Sequence, residues 1–341
     1  MKILAIGGCG SMGRFALTAA QNFAAVQQIV VADIDLPSAQ TFAAALNEKV
    51  SAIQLDVTDQ QRLRAAMQGF DLVVNTCGPY FKFAVPILQA AIDSRCHYLD
   101  LCDDWEPTLE MMKLDSQAKE AGICATIGLG ASPGLTNLLA LTAIRELDSV
   151  STVFTGWDMG SATLDEIGAA QDTNAALLHG VEQMTGTVKI YADNIFKMVK
   201  PLGPVTVDYP GRKPFVGNIF GHPEALTFPH YFPELTHSIN LAHGGDANAF
   251  LVKLLIALVN FGLLGKSSAA KLFGWLEGQS QTQPQQKRKS TDDPPAMYGF
   301  AQGLKNGVPT SVGVSLRNDE DGLTDPAKVL SMGDITGIPL A

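Results

Sequence analysis

Gly8-Cys9-Gly10-Ser11-Met12-Gly13 stands between an apolar run, Lys2 to Ile6, and an amphipathic run, Ser11 to Ala25. This succession of strand, glycine loop and helix constrains the chain more than any other feature. The first glycine permits a tight turn, the second lets backbone approach a pyrophosphate, and the third lets helix and strand pack closely. The free N–H groups at the helix N-terminus then face the phosphate charge. Asp33 ends the next apolar run about 20 residues after Gly13, where such a loop expects the acid that accepts a hydrogen bond from an adenosine ribose hydroxyl. The spacing predicts dinucleotide binding by Gly8, Gly10, Ser11, Met12, Gly13, Asp33 and Ile34.

The stretch beyond the loop repeats the alternation of short apolar runs and helical patterns. Strands are expected at Lys2 to Ile6, Ile29 to Asp33, Ser51 to Leu55, Leu72 to Thr76, His97 to Leu101 and Ile123 to Ile127, with helical runs such as Ser38 to Asn47 and Asp59 to Met67 between them. Six strands so spaced fit an α/β fold with a doubly wound parallel sheet. From about Val150 the runs pair through turn signals, at Asp193-Asn194 and Pro210-Gly211, which predicts a second, α+β domain built on antiparallel strands. The expected division is 1–147, completed by 325–341, and 148–324. Within the latter, 278–295 is Gln-rich and polar, reads as a mobile loop, and carries the solvated triplet Lys287-Arg288-Lys289. Ala249 to Leu264 is the most apolar helix but falls short of the roughly 20 residues that span a bilayer, so burial in the second domain or at a dimer interface is expected.

Asp33 would repel an adenosine 2′-phosphate, and no Arg or Lys follows it until Lys49. NAD is therefore favoured, with NADP as the second choice. Asp56 and Val57, after the third strand, are placed to border the adenine, or else to form the turn before the next helix. Cys77, Gly78 and Pro79 end the fourth strand across the switch point, where small residues let a nicotinamide come close.

The balance of 24 Lys and Arg against 34 Asp and Glu gives a net charge of −10, which argues against nucleic acid or an anionic membrane as the main partner. Five cysteines, odd in number and all within the first 124 residues, contain no CxxC. They follow an N-terminus without a charged-then-apolar leader, which points to a reducing cytoplasm with no disulfide framework and no metal.

With these motifs in view, the chain resembles the saccharopine dehydrogenase family, taken broadly to include saccharopine reductases, lysine 6-dehydrogenases and carboxynorspermidine dehydrogenases. The likeness rests on the glycine loop, Leu55 to Asp59, Asn75 to Tyr80, His97 to Leu101, Ala118 to Gly122 and above all Gly128 to Asn137 (GLGASPGLTN), with weaker echoes at Gly221 to Pro229 and Thr336 to Pro339. The resemblance implies a Rossmann domain, a second domain that forms the substrate floor and often a homodimer, and a C-terminal segment returning to the first. It also implies hydride transfer between a nicotinamide and a carbon bound to nitrogen, in a small amino-acid-derived amine or imine. Two departures stand out. Ser132 occupies the place of the acid that saccharopine reductases carry before Pro133-Gly134, and the chain ends at Ala341 just where the family would begin its returning helix.

Reducing an imine needs a hydride donor and a group that protonates or steadies the nitrogen. Tyr80 could present its hydroxyl beside the nicotinamide, or simply pack under the sheet edge. Asp103, with Asp104, could meet a substrate ammonium, or cap the helix that starts near Glu106. Ser132 could donate to a carboxylate, and among His222, Glu224, His230 and His237 the first two are the choice for substrate binding. The function expected is an NAD(P)-dependent oxidoreductase acting at a CH–NH bond, with Tyr80 and Asp103 catalytic. The alternative is a dinucleotide-binding regulatory or scaffold protein without catalysis.

Overall fold

Leu4 and Ile6 face one side of strand β1 (Lys2–Ile6), Ile3 and Ala5 the other, and none is more than 4% exposed. A strand buried on both faces belongs in the middle of a parallel sheet covered by helices. In the computed structural model, which describes residues 1–159, 180–244, 249–280, 293–316 and 332–341, β1 does lie at the centre. It pairs in parallel with β2 (Gln28–Asp33) and with β4 (Leu72–Asn75). Outside these lie β3 (Val50–Gln54), β5 (His97–Asp100) and β6 (Ala125–Thr126), giving the order β3-β2-β1-β4-β5-β6. All six expected strands form, with ends within two residues of those read from the sequence. The order reverses between β1 and β4, which leaves a crevice at their carboxyl ends.

Helices α1 (Ser11–Ala20) and α2 (Leu36–Ala44) cover one face of this sheet, together with the C-terminal helix Met332–Leu340. On the other face α3 (Gln60–Met67), α4 (Tyr80–Ser94) and α5 (Trp105–Met112) bury Leu63, Met67, Ile87, Leu88 and Met111; the short α6 (Asp115–Ala121) packs there too, through Ala118. The chain divides into two units, Met1–Gly134 with Leu330–Ala341, and Leu135–Val329.

The second unit opens with helix α7 (Leu135–Ile144) and is built on a mixed sheet of eight strands. Two of its hairpins are those the turn signals predict. Strands β8 (Val188–Ala192) and β9 (Ile195–Val199) join through Asp193 and Asn194, both at positive φ (53° and 63°), the backbone that a two-residue hairpin turn demands. Strands β10 (Pro204–Val207) and β11 (Phe215–Phe220) flank the Pro210-Gly211 turn. The centre of the sheet differs from the antiparallel expectation. There β7 (Ser149–Asp158) and β12 (His237–His243) run parallel, with Asn240 opposite Thr155. Partners so far apart in the chain leave no local turn signal to read. Beyond β7 lies the antiparallel pair β13 (Met297–Lys305) and β14 (Val308–Ser315).

Helix α8 (Glu224–Tyr231) packs on β12, and α9 (Ala249–Asn260) and α10 (Lys266–Ser280) follow it. Helix α9 buries one face, where Val252 and Ile256 meet Met184, Phe220 and Ala242, and turns Leu251 and Leu254 outward at 40% and 45% exposure. Among the described residues no helix is long and apolar enough to cross a membrane. Of the expected mobile loop at 278–295, Gly278 to Ser280 instead finish α10; residues 281–292, with Lys287-Arg288-Lys289, lie outside the described residues, as do 325–331 of the expected returning segment.

His243, at the end of β12, is 4% exposed and sits against Phe215 and Tyr298, with ring centroids 5.7 and 5.9 Å away. Burial pushes its imidazole down to about 4. The folded state then binds fewer protons than the unfolded chain between about pH 6.5 and 4, so stability is fully present above that window and is lost as pH falls through it. A urea midpoint that drops on acidification, by the equivalent of up to about 3 kcal/mol, is expected. His243→Gln, which removes the titrating group, should flatten the slope.

Candidate active site

The glycine loop is shaped by what a side chain would strike. A Cβ on Gly13 would lie 2.7 Å from the Gly8 carbonyl oxygen, so only glycine lets α1 sit this close to the end of β1. Gly10 faces open space, since a Cβ there would meet one atom within 4 Å, the Gly7 oxygen at 3.2 Å. Gly10 is also the N-cap of α1 and makes no side-chain cap, so the helix N-terminus is left for an incoming acceptor. A pyrophosphate fits this cradle. The turn itself belongs to a residue the sequence reading passed over: Gly7, not Gly8, takes the positive φ, +68°. Gly7 is wedged between the two halves of the sheet. Its N–H donates to the Ala32 carbonyl at 2.8 Å, and Thr76 Oγ1 donates to its carbonyl at 2.9 Å. The Gly7-Gly8 doublet was the signal available for it.

Around the adenosine end, Asp33 is half-buried at the end of β2. Its carboxylate accepts hydrogen bonds from the Cys9 thiol (3.0 Å) and the Asp35 N–H (3.1 Å), and burial together with this carboxylate drives the Cys9 thiol up to about 12. Ile34 beside it is 65% exposed, an apolar side chain left free to cover a flat base. Asp56 accepts from both the N–H (2.9 Å) and the hydroxyl (2.7 Å) of Thr58, which makes it a turn former before α3, while Val57 is half-buried next to it. Cys77 lies within electrostatic reach of Asp33 and Asp56, and burial, with those two carboxylates, raises its thiol to about 11. The ends of β2, β3 and β4 therefore share one edge of the sheet.

A buried polar network ties together the turns on the other side of the switch point. Asn75, Tyr98 and Asp100 are all fully buried. Asn75 Nδ2 donates to the Tyr98 hydroxyl at 2.9 Å, and that hydroxyl donates to Asp100 Oδ2 at 2.8 Å. Asp100 Oδ1 accepts the N–H groups of Gly128 (2.7 Å) and Cys102 (3.0 Å), and Asn75 Oδ1 that of Cys77 (3.0 Å). One network thus holds the turns after β4, β5 and β6. Burial lifts Asp100 to about 6, although the three hydrogen bonds it accepts pull the other way.

Tyr80 opens α4 at this edge, half-buried. Burial, with the carboxylates of Asp100 and Asp103 nearby, holds its hydroxyl well above the usual phenol range, so it stays protonated and can donate. Asp103 is half-buried on the turn after β5. Its neighbour Asp104 is the N-cap residue of α5, but its carboxylate caps a different helix, accepting the Phe81 N–H of α4 at 3.1 Å. Ser132 precedes Pro133 in a turn closed by Gly128, whose Cβ would stand 2.6 Å from the Pro133 ring.

In the second unit, His222 and Glu224 lie 5% and 1% exposed, with Nδ1 and Oε2 3.9 Å apart. Thr136 (2.9 Å) and Asn240 (3.1 Å) donate to Glu224 Oε1, Gln183 meets His222 Nε2 at 3.0 Å, and Trp157 stacks on the imidazole. The other two members of the sequence cluster go elsewhere: His237 faces Asp193 (3.4 Å) and His230 is exposed.

Tyr98→Phe would leave an Asn75 donor and an Asp100 acceptor unserved in the interior. It should cost about 1–3 kcal/mol of stability by urea denaturation while leaving the strands intact by circular dichroism.

Comparison with known proteins agrees with this geometry. The profile of the family described as the saccharopine dehydrogenase NADP binding domain matches residues 3–126. A saccharopine dehydrogenase [NADP(+), L-glutamate-forming] of Pyricularia oryzae is 32% identical over 120 residues, which is 35% of this chain and 25% of that protein. A carboxyaminopropylagmatine dehydrogenase of Synechocystis is 23% identical over 212 residues, 59% of this chain and 51% of its own. The chain thus spans a quarter and about half of the lengths of these curated relatives. Apo saccharopine dehydrogenase (L-Glu forming) from Saccharomyces cerevisiae shares the fold at 14% identity, with a TM-score of 0.58 over 99% of this chain and 89% of that one. Over residues 3–126 the chain is thus similar to the saccharopine dehydrogenase NADP binding domain family.

Proposed function

We propose that the protein is an NAD(P)-dependent dehydrogenase or reductase of the saccharopine dehydrogenase type, acting at a CH–NH bond of a small amino-acid-derived amine or imine. The observation that carries this reading is the glycine cradle at the switch point of a β3-β2-β1-β4-β5-β6 sheet, within the matched family domain. When bound, the nicotinamide supplies or accepts the hydride. Tyr80, a protonated phenol at neutral pH, donates a hydrogen bond that steadies the substrate nitrogen. Asp103 supplies the negative charge that an ammonium or iminium requires, and Ser132 a hydroxyl for a carboxylate. In the second unit, His222 and Glu224 are the substrate-binding pair of this proposal. The five free cysteines agree with a reducing cytoplasm. The outward Leu251 and Leu254 of α9, with Phe261 and Leu263 at 79% and 75% exposure, give a homodimer an apolar surface to use.

Nicotinamide absorbance during incubation with a panel of amino acids, diamines and keto-acid plus amine pairs tests the activity. Turnover is expected on at least one CH–NH substrate. Tight dinucleotide binding with no turnover on any of them would favour the non-catalytic alternative instead.

Gly10→Val should abolish dinucleotide binding, measured by calorimetry, in a protein that stays folded, because the new side chain fills the space in front of the helix N-terminus. Tyr80→Phe should lower kcat by about tenfold to a hundredfold with cofactor affinity retained, the scale on which one positioned hydrogen-bond donor acts.

A further inference from the structure

We propose that the turn between α9 and α10 is a lipid-docking tip, which seats its apolar side chains in the surface of a membrane that contains anionic lipid. Leu251, Leu254, Leu258 and Phe261 follow one another at spacings of three and four residues, the stripe of one helix face. The stripe runs into the turn, where Phe261 and Leu263 are the two most exposed large apolar side chains among the described residues. A Cβ on Gly262 or Gly265, either side of Leu263, would meet nothing within 4 Å, so the turn stands clear of the other described residues. It is nonetheless fixed. Gly262 takes a φ of +70° and ends α9: the N–H groups of Leu263 and Leu264 donate to the Leu258 carbonyl at 2.9 and 3.2 Å, and that of Gly262 to the Val259 carbonyl at 3.0 Å. Beneath, Val259 and Leu264 pack on Val181, Ala269 and Ala270, and Asn260 Oδ1 accepts the Gly186 N–H at 2.9 Å. Backbone groups satisfied in this way can enter a lipid interface without losing hydrogen bonds.

The charges beside the tip select its partner. Residues 249–276 hold Lys253, Lys266 and Lys271 and no Asp or Glu, in a chain whose net charge is −10. All three lysines are exposed, and Lys266 Nζ lies 3.5 Å from Glu182. Physiological salt screens charges over about 8 Å, so the attraction at a lipid surface is set by the lysines at the tip rather than by the total charge. Their long stems can lie along the apolar layer while the ammonium groups meet lipid phosphates. Exposed Leu and Phe accompanied by Lys and free of acid are the composition of segments that lie in the headgroup layer. The docking is interfacial, since among the described residues no helix is long and apolar enough to cross a membrane. A second copy of the chain suits this surface less well. The cores of protein interfaces are depleted of Lys, and a twofold contact across this turn would bring two sets of lysines together with no acid between them.

Co-sedimentation of the full chain with vesicles of phosphatidylcholine alone, and of phosphatidylcholine mixed with phosphatidylglycerol, tests this without cofactor or turnover, so its outcome is independent of the oxidoreductase reading. The wild type should bind the mixed vesicles at least about tenfold more tightly than the neutral ones and lose that advantage in high salt, since each lysine near an anionic surface contributes about fivefold. Phe261→Ser with Leu263→Ser should weaken binding to both kinds of vesicle by about tenfold or more. Lys253→Gln with Lys271→Gln should instead remove the preference for the mixed ones. All four side chains are exposed, and an unchanged urea midpoint shows that each variant is folded. No binding of the wild type to mixed vesicles, equal binding to both kinds at low salt, or binding left intact by the serine pair would overturn the proposal. So would self-association in analytical ultracentrifugation that the serine pair abolishes, with no vesicle binding, because the surface would then belong to a second copy. The comparisons of lipid and salt use the unaltered protein, so the answer does not depend on a variant folding.

Discussion

The close approach of Gly13 to Gly8 decides the geometry of the first unit's functional edge. With no Cβ between them, α1 begins directly against the end of β1, and its N-terminus opens toward the place a phosphate would occupy. The same seating brings Arg14 beneath Cys9 and over Phe42. It also presents the outer surface of α1 to the C-terminal helix, where Gly337 lies so close that a Cβ would stand 2.7 Å from the Met12 carbonyl oxygen. One backbone contact thus sets the start of α1 and the surface on which the last helix packs.

Across the switch point, side chains rather than glycines hold the architecture. Three turns follow β4, β5 and β6, and each would be a separate flexible loop without a common anchor. The Asn75–Tyr98–Asp100 network supplies one, because a buried carboxylate must collect donors from its surroundings and here they come from Cys102, Gly128 and Tyr98. Asp104 extends the same logic to α4 by accepting from Phe81. Tyr80 and Asp103, the catalytic pair of the proposal, stand on backbone fixed at both ends, and small displacements of a donor carry a large cost in rate.

The second unit solves its own polar problem with Glu224. This residue lies at the start of α8 and is met by Thr136 at the start of α7 and by Asn240 on β12, so a helix, a strand and a second helix converge on one side chain. The family match ends at residue 126, before this unit begins. Its mixed sheet, with a parallel pair at the centre and hairpins at the edges, accounts for strand signals that looked antiparallel in the chain.

The amino-acid sequence by itself determined the first sheet and the phosphate loop. Both are written in local patterns: short runs buried on two faces, glycines at fixed spacing, Asp33 at a strand end and a turn at Asp193-Asn194. Local patterns report backbone geometry over a few residues, so they located Gly8, Gly10 and Gly13 yet passed over Gly7, whose positive φ depends on neighbours from β2 and β4. Everything that needs two distant segments to meet was decided by the tertiary structure. Asp100 became an anchor because the turns after β5 and β6 converge on it, and Asp104 capped α4 rather than α5. His222 met Glu224 while His237 turned to Asp193. Arg14 reached the Cys9 carbonyl and the Phe42 ring, contacts that exist once α1 has packed against the sheet and α2 has folded back beside it. Hydrogen bonds and charges act over a few ångströms of space, and separation along the chain does not measure that distance.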